Sequence, residues 1–371
     1  MNRSKILLAL SATAVINTSS AMAAGLSLSQ IGTADSVATA GVAGVTNNSD
    51  AAATITNAAG LSGIEDSNMM LGGQLLDVRS HFEPEEGEST RSSGLQFIPH
   101  LSYAKRLNED WVAGIALHSP GGLGVAYSNG IAGGAQNIIK ENKITMLSLT
   151  ASAAYQVNEQ LALGASIITN YAGVEASVFD RTVTGKQLAP TFALSAQYQL
   201  SEKTRIGANY QHGSEHDIEF DEAILGIQGM AINWPATFDI GIDHQLTEKL
   251  NIMANAKWQS WSDYDANYQD TYSAGIAAGY QAGDWLWQAG FSIDSSPVDA
   301  EYRDVVLPLD KQWRLGIGAE KTLASGAKLG IAYQYQNLGD AEIASQGREL
   351  LRPSGEYSEN RVHFITLSYQ F

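Results

Sequence analysis

His212 and His216 stand four residues apart, with Glu215 and Asp217 beside them. That spacing puts two imidazoles on one face of a helix or a strand, and together with the carboxylates they could ligate a metal. The plainer reading leaves both in solvent at the outer end of a strand. Ser325-Gly-Ala-Lys328 has the Ser-x-x-Lys spacing of acyl-transferring enzymes. It falls in a tight turn, and no second motif accompanies it. Gly121-Gly122-Leu123-Gly124 is not followed by a helix, so it is no phosphate loop. Asp239, Asp243, Lys257, Asp294, Arg314, Glu320 and Lys328 occupy alternate positions in apolar runs. They could form an acid/base site, but mutual pairing inside a closed structure is the expectation. No catalytic, metal or cofactor site assembles from these residues, and the chain is expected not to be an enzyme.

The elements carrying these residues have the period of strands. Phe192, Leu194, Ala196, Tyr198 and Leu200 alternate with Ser195, Gln197 and Gln199. Trp285, Trp287, Ala289, Phe291 and Ile293 alternate with Gln288, Ser292 and Asp294. The last strand runs through His363, Ile365, Leu367 and Tyr369 to Phe371, a terminal aromatic. The pattern predicts fourteen strands, at 68–80, 94–107, 111–127, 141–157, 161–178, 187–200, 204–219, 231–246, 250–265, 270–281, 285–299, 312–322, 327–341 and 359–371. Asn108-Glu109-Asp110, Asn158-Glu159-Gln160 and Ser201-Glu202-Lys203 are tight turns after even-numbered strands, and the connections between them are longer. Tyr103, Trp111, Tyr155, Tyr198, Tyr280 and Trp285 cluster at strand ends. Short turns at one rim, long loops at the other and aromatic girdles describe a transmembrane barrel. The fold class is therefore all-β: a 14-stranded antiparallel transmembrane β-barrel.

The N-terminus and the composition agree. Arg3 and Lys5 precede a short apolar run, and Ala21-Met22-Ala23 makes a small-x-small cleavage site. Residues 1–23 are expected to be a signal peptide, with the mature chain starting at Ala24 and the barrel occupying 67–371. The apolar run is too short to span a bilayer of about 30 Å. There is no cysteine, so an exported chain must be held by something other than disulfides. A closed ladder does this and leaves no strand edge unpaired. The net charge of −17 argues against a nucleic-acid partner.

Two stretches depart from the strand pattern. Residues 24–66 are rich in Ala, Gly, Ser, Thr and Asn and hold no aromatic. They read either as a disordered leader or as a compact plug in the lumen. Ser119-Pro120-Gly121-Gly122 interrupts the third strand. Proline removes a ladder donor and glycine permits a bulge, so the strand breaks within the wall or ends in an ordinary turn.

Several motifs in order carry a family resemblance. Trp234-Pro235 leads into a strand and then Trp258-Gln-Ser-Trp261-Ser-Asp-Tyr264. Asp294-Ser-Ser-Pro297-Val298 follows, and then Pro308-Leu-Asp310-Lys311-Gln-Trp313-Arg-Leu-Gly316. These segments resemble the FadL/TodX family of outer-membrane channels for hydrophobic compounds. Ala24-Gly25-Leu26-Ser27-Leu28 resembles the family's mature start. Asn57-Ala58-Ala59 falls where the family's plug has Asn-Pro-Ala, and the proline is missing. The resemblance implies that 24–66 is a plug, or hatch. It implies that strand three kinks inward at Ser119, Pro120, Gly121 and Gly122 to open the wall sideways.

The expected function is uptake of long-chain fatty acids or other hydrophobic small molecules across a Gram-negative outer membrane. The partners are then the hydrophobic ligand and membrane lipid, with no cofactor, and the chain acts as a monomer. Two apolar runs in loops are candidates for a capture groove: Ile131, Ile138 and Ile139, and Ile224, Leu225, Ile227 and Met230. Packing of one loop against another is the alternative role. A general porin or a surface receptor without specific transport are the competing functions.

Overall fold

The computed structural model describes residues 28, 30–131, 139–178, 181–224, 226–305, 307–344 and 353–371. The expected signal peptide lies outside them. The strands are β1 (Ser67–Pro84), β2 (Thr90–Arg106), β3 (Trp111–His118 with Gly122–Ile131), β4 (Ile139–Gln156) and β5 (Leu161–Val178). They continue as β6 (Arg181–Ser201), β7 (Thr204–Gln211 with Ser214–Ile224), β8 (Ile227–Trp234 with Thr237–Gln245) and β9 (Leu250–Gln259). The set closes with β10 (Thr271–Ala282), β11 (Trp285–Asp294), β12 (Gln312–Thr322), β13 (Lys328–Asn337) and β14 (Gly355–Gln370). Every neighbour pairs antiparallel, and β1 pairs with both β2 and β14, so the 14-stranded barrel is closed. Among the described residues no helix is long and apolar enough to cross a membrane; the strands cross instead.

The alternation works as the period requires. Ile167, Leu188, Ile276, Ile317 and Leu367 point outward and are exposed. On a soluble protein such a belt would be an unexplained apolar surface; around a barrel it is the lipid face. Trp111 packs on Tyr155 with ring centroids 4.8 Å apart, and Trp285 stacks on Trp287 at 5.8 Å, forming part of the girdle above the short turns. The turns are built alike. The Asn108 carboxamide oxygen accepts from the amides of Asp110 and Trp111 at 3.0 and 2.9 Å. Asn158 does the same for Gln160 and Leu161, both at 2.9 Å. Asn side chains mimic a backbone turn in this way.

Three strands are broken, and each break changes the in/out phase. In β7, Gly207 and Asn209 face inward; after His212-Gly213 the inward residues are Ser214, His216 and Ile218. In β8 the break is Pro235-Ala236, directly beside that in β7. In β3 three residues, 119–121, face only two of β4, because His118 pairs with Ser148 and Gly122 with Thr145. The break in β3 falls within the Ser119–Gly122 stretch that the sequence marks as an interruption, whereas the apolar pattern predicts strands seven and eight as continuous. Proline and glycine explain the difference: without ladder donors or Cβ packing the chain takes up an extra residue locally.

Candidate functional site

The lumen is occupied by residues 30–64. Short helices α1 (Ala34–Ala38) and α2 (Ala53–Thr56), with 3-10 turns at Val42–Thr46 and Ala58–Gly63, carry mostly buried small residues. Wall glycines make their seats. A Cβ at Gly164 would stand 2.2 Å from the Ala59 amide nitrogen, and one at Gly290 would stand 2.3 Å from the Thr39 carbonyl. Only a residue without a side chain lets the inner backbone approach this closely. Asn57 fixes the turn. Its Nδ2 donates to the carbonyls of Val45 (2.7 Å), Ala196 (3.2 Å) and Ala208 (3.3 Å). Its Oδ1 accepts from the Ala59 amide at 3.1 Å, and the same amide reaches Ser195 Oγ at 3.0 Å. Ala58 and Ala59 are buried against the wall. These bonds tie the turn at 57–59 to β6 and β7.

The ladder between β2 and β3 is interrupted at the break in β3. The lower half pairs with β2 from Arg106↔Val112 to Leu101↔Leu117. Above it the two strands meet again only at Ser92↔Tyr127. Between these points, residues 93–100 of β2 bond to β1 alone among the described residues. The amide of Leu28 donates to the Pro120 carbonyl at 3.0 Å, tying the N-terminal segment to the break. Ser119 Oγ donates to the Gly121 carbonyl at 2.7 Å. A cavity of about 120 Å³ lies here, with Leu28, Leu76, Ile98, Ile144 and Met146 among its walls.

Toward the long loops the lumen is apolar. Leu76, Val78, Phe82, Ile144, Met146 and Phe364 on the inner wall join Leu307, Leu309, Leu338 and Ile343 from the loops. Arg303 holds the loop of 295–311 in place. Its guanidinium donates to the Leu309 carbonyl (2.8 Å), the Val298 carbonyl (2.9 Å) and the Glu342 carbonyl, and pairs with Asp310 at 3.2 Å. Sequence reasoning missed Arg303. The only signal was a lone cation between two Pro-containing loop motifs.

The groove candidates divide. Ile138 and Leu225 lie outside the described residues. Ile131 pairs with Ile139, and Ile224 with Ile227, so these four belong to hairpin strands and not to loops. Ile227 is exposed at the hairpin tip. Met230 instead is half-buried and packs on the lumenal cluster. The strands of these hairpins run further from the turn rim than the apolar pattern indicated, because their outer ends are polar and lose the alternation.

The other chemistry also resolves. His216 is buried on the inner face, with its ring Nε2 3.0 Å from Ser214 Oγ, whereas His212 lies outside, stacked on Phe192 at 5.2 Å. The phase change at 212–213 puts the two imidazoles on opposite faces, and among the described residues no metal-ligating cluster forms. Lys328 pairs with Glu320 at 3.2 Å, not with Ser325. Lys257 pairs with Asp239 at 3.5 Å, Arg314 pairs with Asp294, and Asp243 accepts from Asn251 Nδ2 at 3.0 Å. The inward charges are structural pairs.

A closed barrel with a lipid-facing belt, a filled lumen and an interrupted ladder in one wall defines an outer-membrane channel. The chain belongs to the outer membrane protein transport family (OMPP1/FadL/TodX), whose model matches residues 14–371. It is a transport protein of the Gram-negative outer membrane, not an enzyme. It is 23% identical to outer membrane protein P1 of Haemophilus influenzae over 95% of this chain and 96% of that one. It is 20% identical to the long-chain fatty acid transport protein of Escherichia coli over 71% of this chain and 74% of the relative. The crystal structure of a Pseudomonas aeruginosa FadL homologue superposes with a TM-score of 0.80 at 15% identity, covering 94% of this chain and 99% of that one. The Pseudomonas putida toluene transporter TodX gives 0.68 at 19% identity, covering 92% and 98%.

Proposed function

We propose that this channel takes up hydrophobic small molecules and releases them sideways into the membrane through the gap between β2 and β3. The observation that carries the reading is the apolar cavity at that gap, continuous with an apolar lumen and floored by Leu28. A molecule with little polar surface gains free energy at each stage of such a path, at about 25 cal/mol per Å² of apolar area removed from water. Water and ions find no such gain. Relatives named for long-chain fatty acids and for toluene support an apolar cargo.

The route has four parts. Ligand is captured among the outer hairpins, where Ile227 is exposed. It enters the apolar lumen beneath the loop held by Arg303. Residues 24–66 act as the plug and bar the straight path to the periplasm. Movement of Leu28 away from Pro120 then clears the way into the membrane lipid. The chain acts as a monomer, and diffusion down a gradient suffices.

Straightening the break tests the exit. Pro120→Val with Gly121→Thr supplies a ladder donor and β-propensity. Gly122 is kept, since a Cβ there would stand 2.9 Å from the Ile144 carbonyl. Uptake of a labelled hydrophobic substrate by cells should fall several-fold, with insertion unchanged by the gel mobility of unboiled protein. Wild-type uptake in a correctly inserted variant would rule out lateral exit.

A further inference from the structure

Just inside the break, the lumen changes from apolar to polar without acquiring net charge. His100 and His118 project inward from β2 and β3, one step beyond the paired Leu101 and Leu117. Gln74 on β1 lies diagonal to His100, since Gly72 is the direct partner of His100. Gly32 packs between these two: a Cβ on it would stand 2.7 Å from His100 Cβ and 3.7 Å from Gln74 Nε2. Gln30 lies two residues before Gly32 in the lumenal segment.

These four side chains are at least nine-tenths buried, with exposures of 1% for Gln30, 1% for Gln74, 2% for His100 and 7% for His118. Each carries a polar atom that meets no partner. The atoms are both carboxamide atoms of Gln30, Oε1 of Gln74, and Nδ1 of each histidine. A buried polar atom left unmade costs about 1–3 kcal/mol, and native structures keep few of them. Four residues in one place, offering donors and acceptors, call for a polar guest.

The charge on this guest is set by what surrounds it. Gln30 and His118 line a cavity of about 100 Å³, which shares Leu28 and Ser119 with the apolar cavity at the wall gap. Lys257 and Asp239 also line it, already paired at 3.5 Å. Of the other inward cations, Arg205 donates to Gln199 Oε1 and the Thr46 carbonyl, and Arg314 and Lys328 have Asp294 and Glu320; none of the three lines either cavity. An entering carboxylate would find no unpaired lysine or arginine on the described walls of either cavity and would lose its hydration without return. A hydroxyl or carbonyl would find both a donor and an acceptor at no such cost.

We propose that Gln30 and His118, with His100 and Gln74 behind them, form a head-group subsite. It takes small neutral amphiphiles, such as phenols and alcohols, in preference to carboxylates. The apolar body lies at Leu76, Ile98, Ile144 and Met146, and the polar head faces Gln30 and His118. At about 120 and about 100 Å³ each cavity alone is smaller than the apolar cavity of about 150 Å³ that holds benzene, so the guest spans both. The inference deepens the transport reading and rests on it.

Three ligands sharing one body separate the terms: 4-propylphenol, 4-propylbenzoate and propylbenzene, titrated calorimetrically into the full-length protein in detergent at pH 7.5. The phenol should bind about tenfold more tightly than propylbenzene, the difference expected of one satisfied buried hydrogen bond, and more tightly still than the benzoate. Gln30→Leu with His118→Leu should abolish the advantage of the phenol and leave propylbenzene unchanged or tighter. Gln30→Leu alone, remote from the strands, should weaken the phenol in part if the double variant fails to insert. A benzoate that binds as tightly as the phenol overturns the proposal, as does a phenol preference that survives both variants. In either case tight propylbenzene binding leaves the transport reading standing. If none of the three binds, both fall.

Discussion

The backbone amide of Leu28 donates to the carbonyl of Pro120 across 3.0 Å. One bond thus joins the start of the described chain to the one place where β3 leaves β2. Leu28 also lines both cavities that meet there, on the lumenal and on the wall side. A shift of Leu28 would connect them.

Locking that contact should close the channel. The natural chain has no cysteine, so Leu28→Cys with Gly121→Cys gives a single engineered pair. The two backbones meet at a hydrogen bond of 3.0 Å, the kind of close approach needed by a disulfide, which spans Cα atoms roughly 4.4–6.8 Å apart. Oxidised cells should take up labelled hydrophobic substrate several-fold more slowly than reduced ones, with full recovery in reductant. Equal uptake in both states would show that Leu28 does not stand in the path.

The glycine seats should be intolerant of any side chain. Gly164→Val places atoms where the Ala59 amide now lies, 2.2 Å from the first added carbon. Overpacking of this kind costs typically about 1–3 kcal/mol. The strain should displace the 58–59 turn and leave the barrel closed, since the ladder on both sides of β5 is untouched. Single-channel conductance in a planar bilayer should rise, as it should on deleting 24–66. Unchanged conductance in the deletion would place that segment outside the permeation path.

Asp35 predicts a pH dependence. It sits in α1, accepting a hydrogen bond from Gln288 Nε2, and burial pushes its carboxyl up to about 7 from 3.8. Asp50 and Glu320 add to the rise, while the Gln288 bond and Lys328 oppose it. A folded-state value above the unfolded one means the folded form holds the proton more tightly. Its stabilising effect is full below about pH 4 and is lost as pH rises through about 7. The temperature at which the gel mobility of the barrel shifts should therefore fall between pH 5.5 and 8.5. Asp35→Asn should flatten that slope, and an identical slope in the variant would assign the effect elsewhere.

Much of this molecule was legible in its residues. The strands of β6 and β11, the Asn-headed turns, the aromatic girdle and the paired lumen charges all follow from a period of two or from neighbours a few positions apart. Such patterns are local, and the ladder preserves them. The special character of 119–122 was legible too, because proline and glycine act on their own backbone. Tertiary structure decided what those local rules leave open. His212 and His216 share a face in any unbroken strand, yet one residue of slack at 212–213 sends them to opposite sides of the wall. His100 and His118 are neighbours only because β2 and β3 pair in one register, and Gln30 joins them from a segment with no periodicity at all. The glycines at 164 and 290 look like weak strand residues until the inner backbone is seen resting on them. Closure of the barrel brings these groups together. It depends on pairings between distant residues, which no short stretch of sequence encodes.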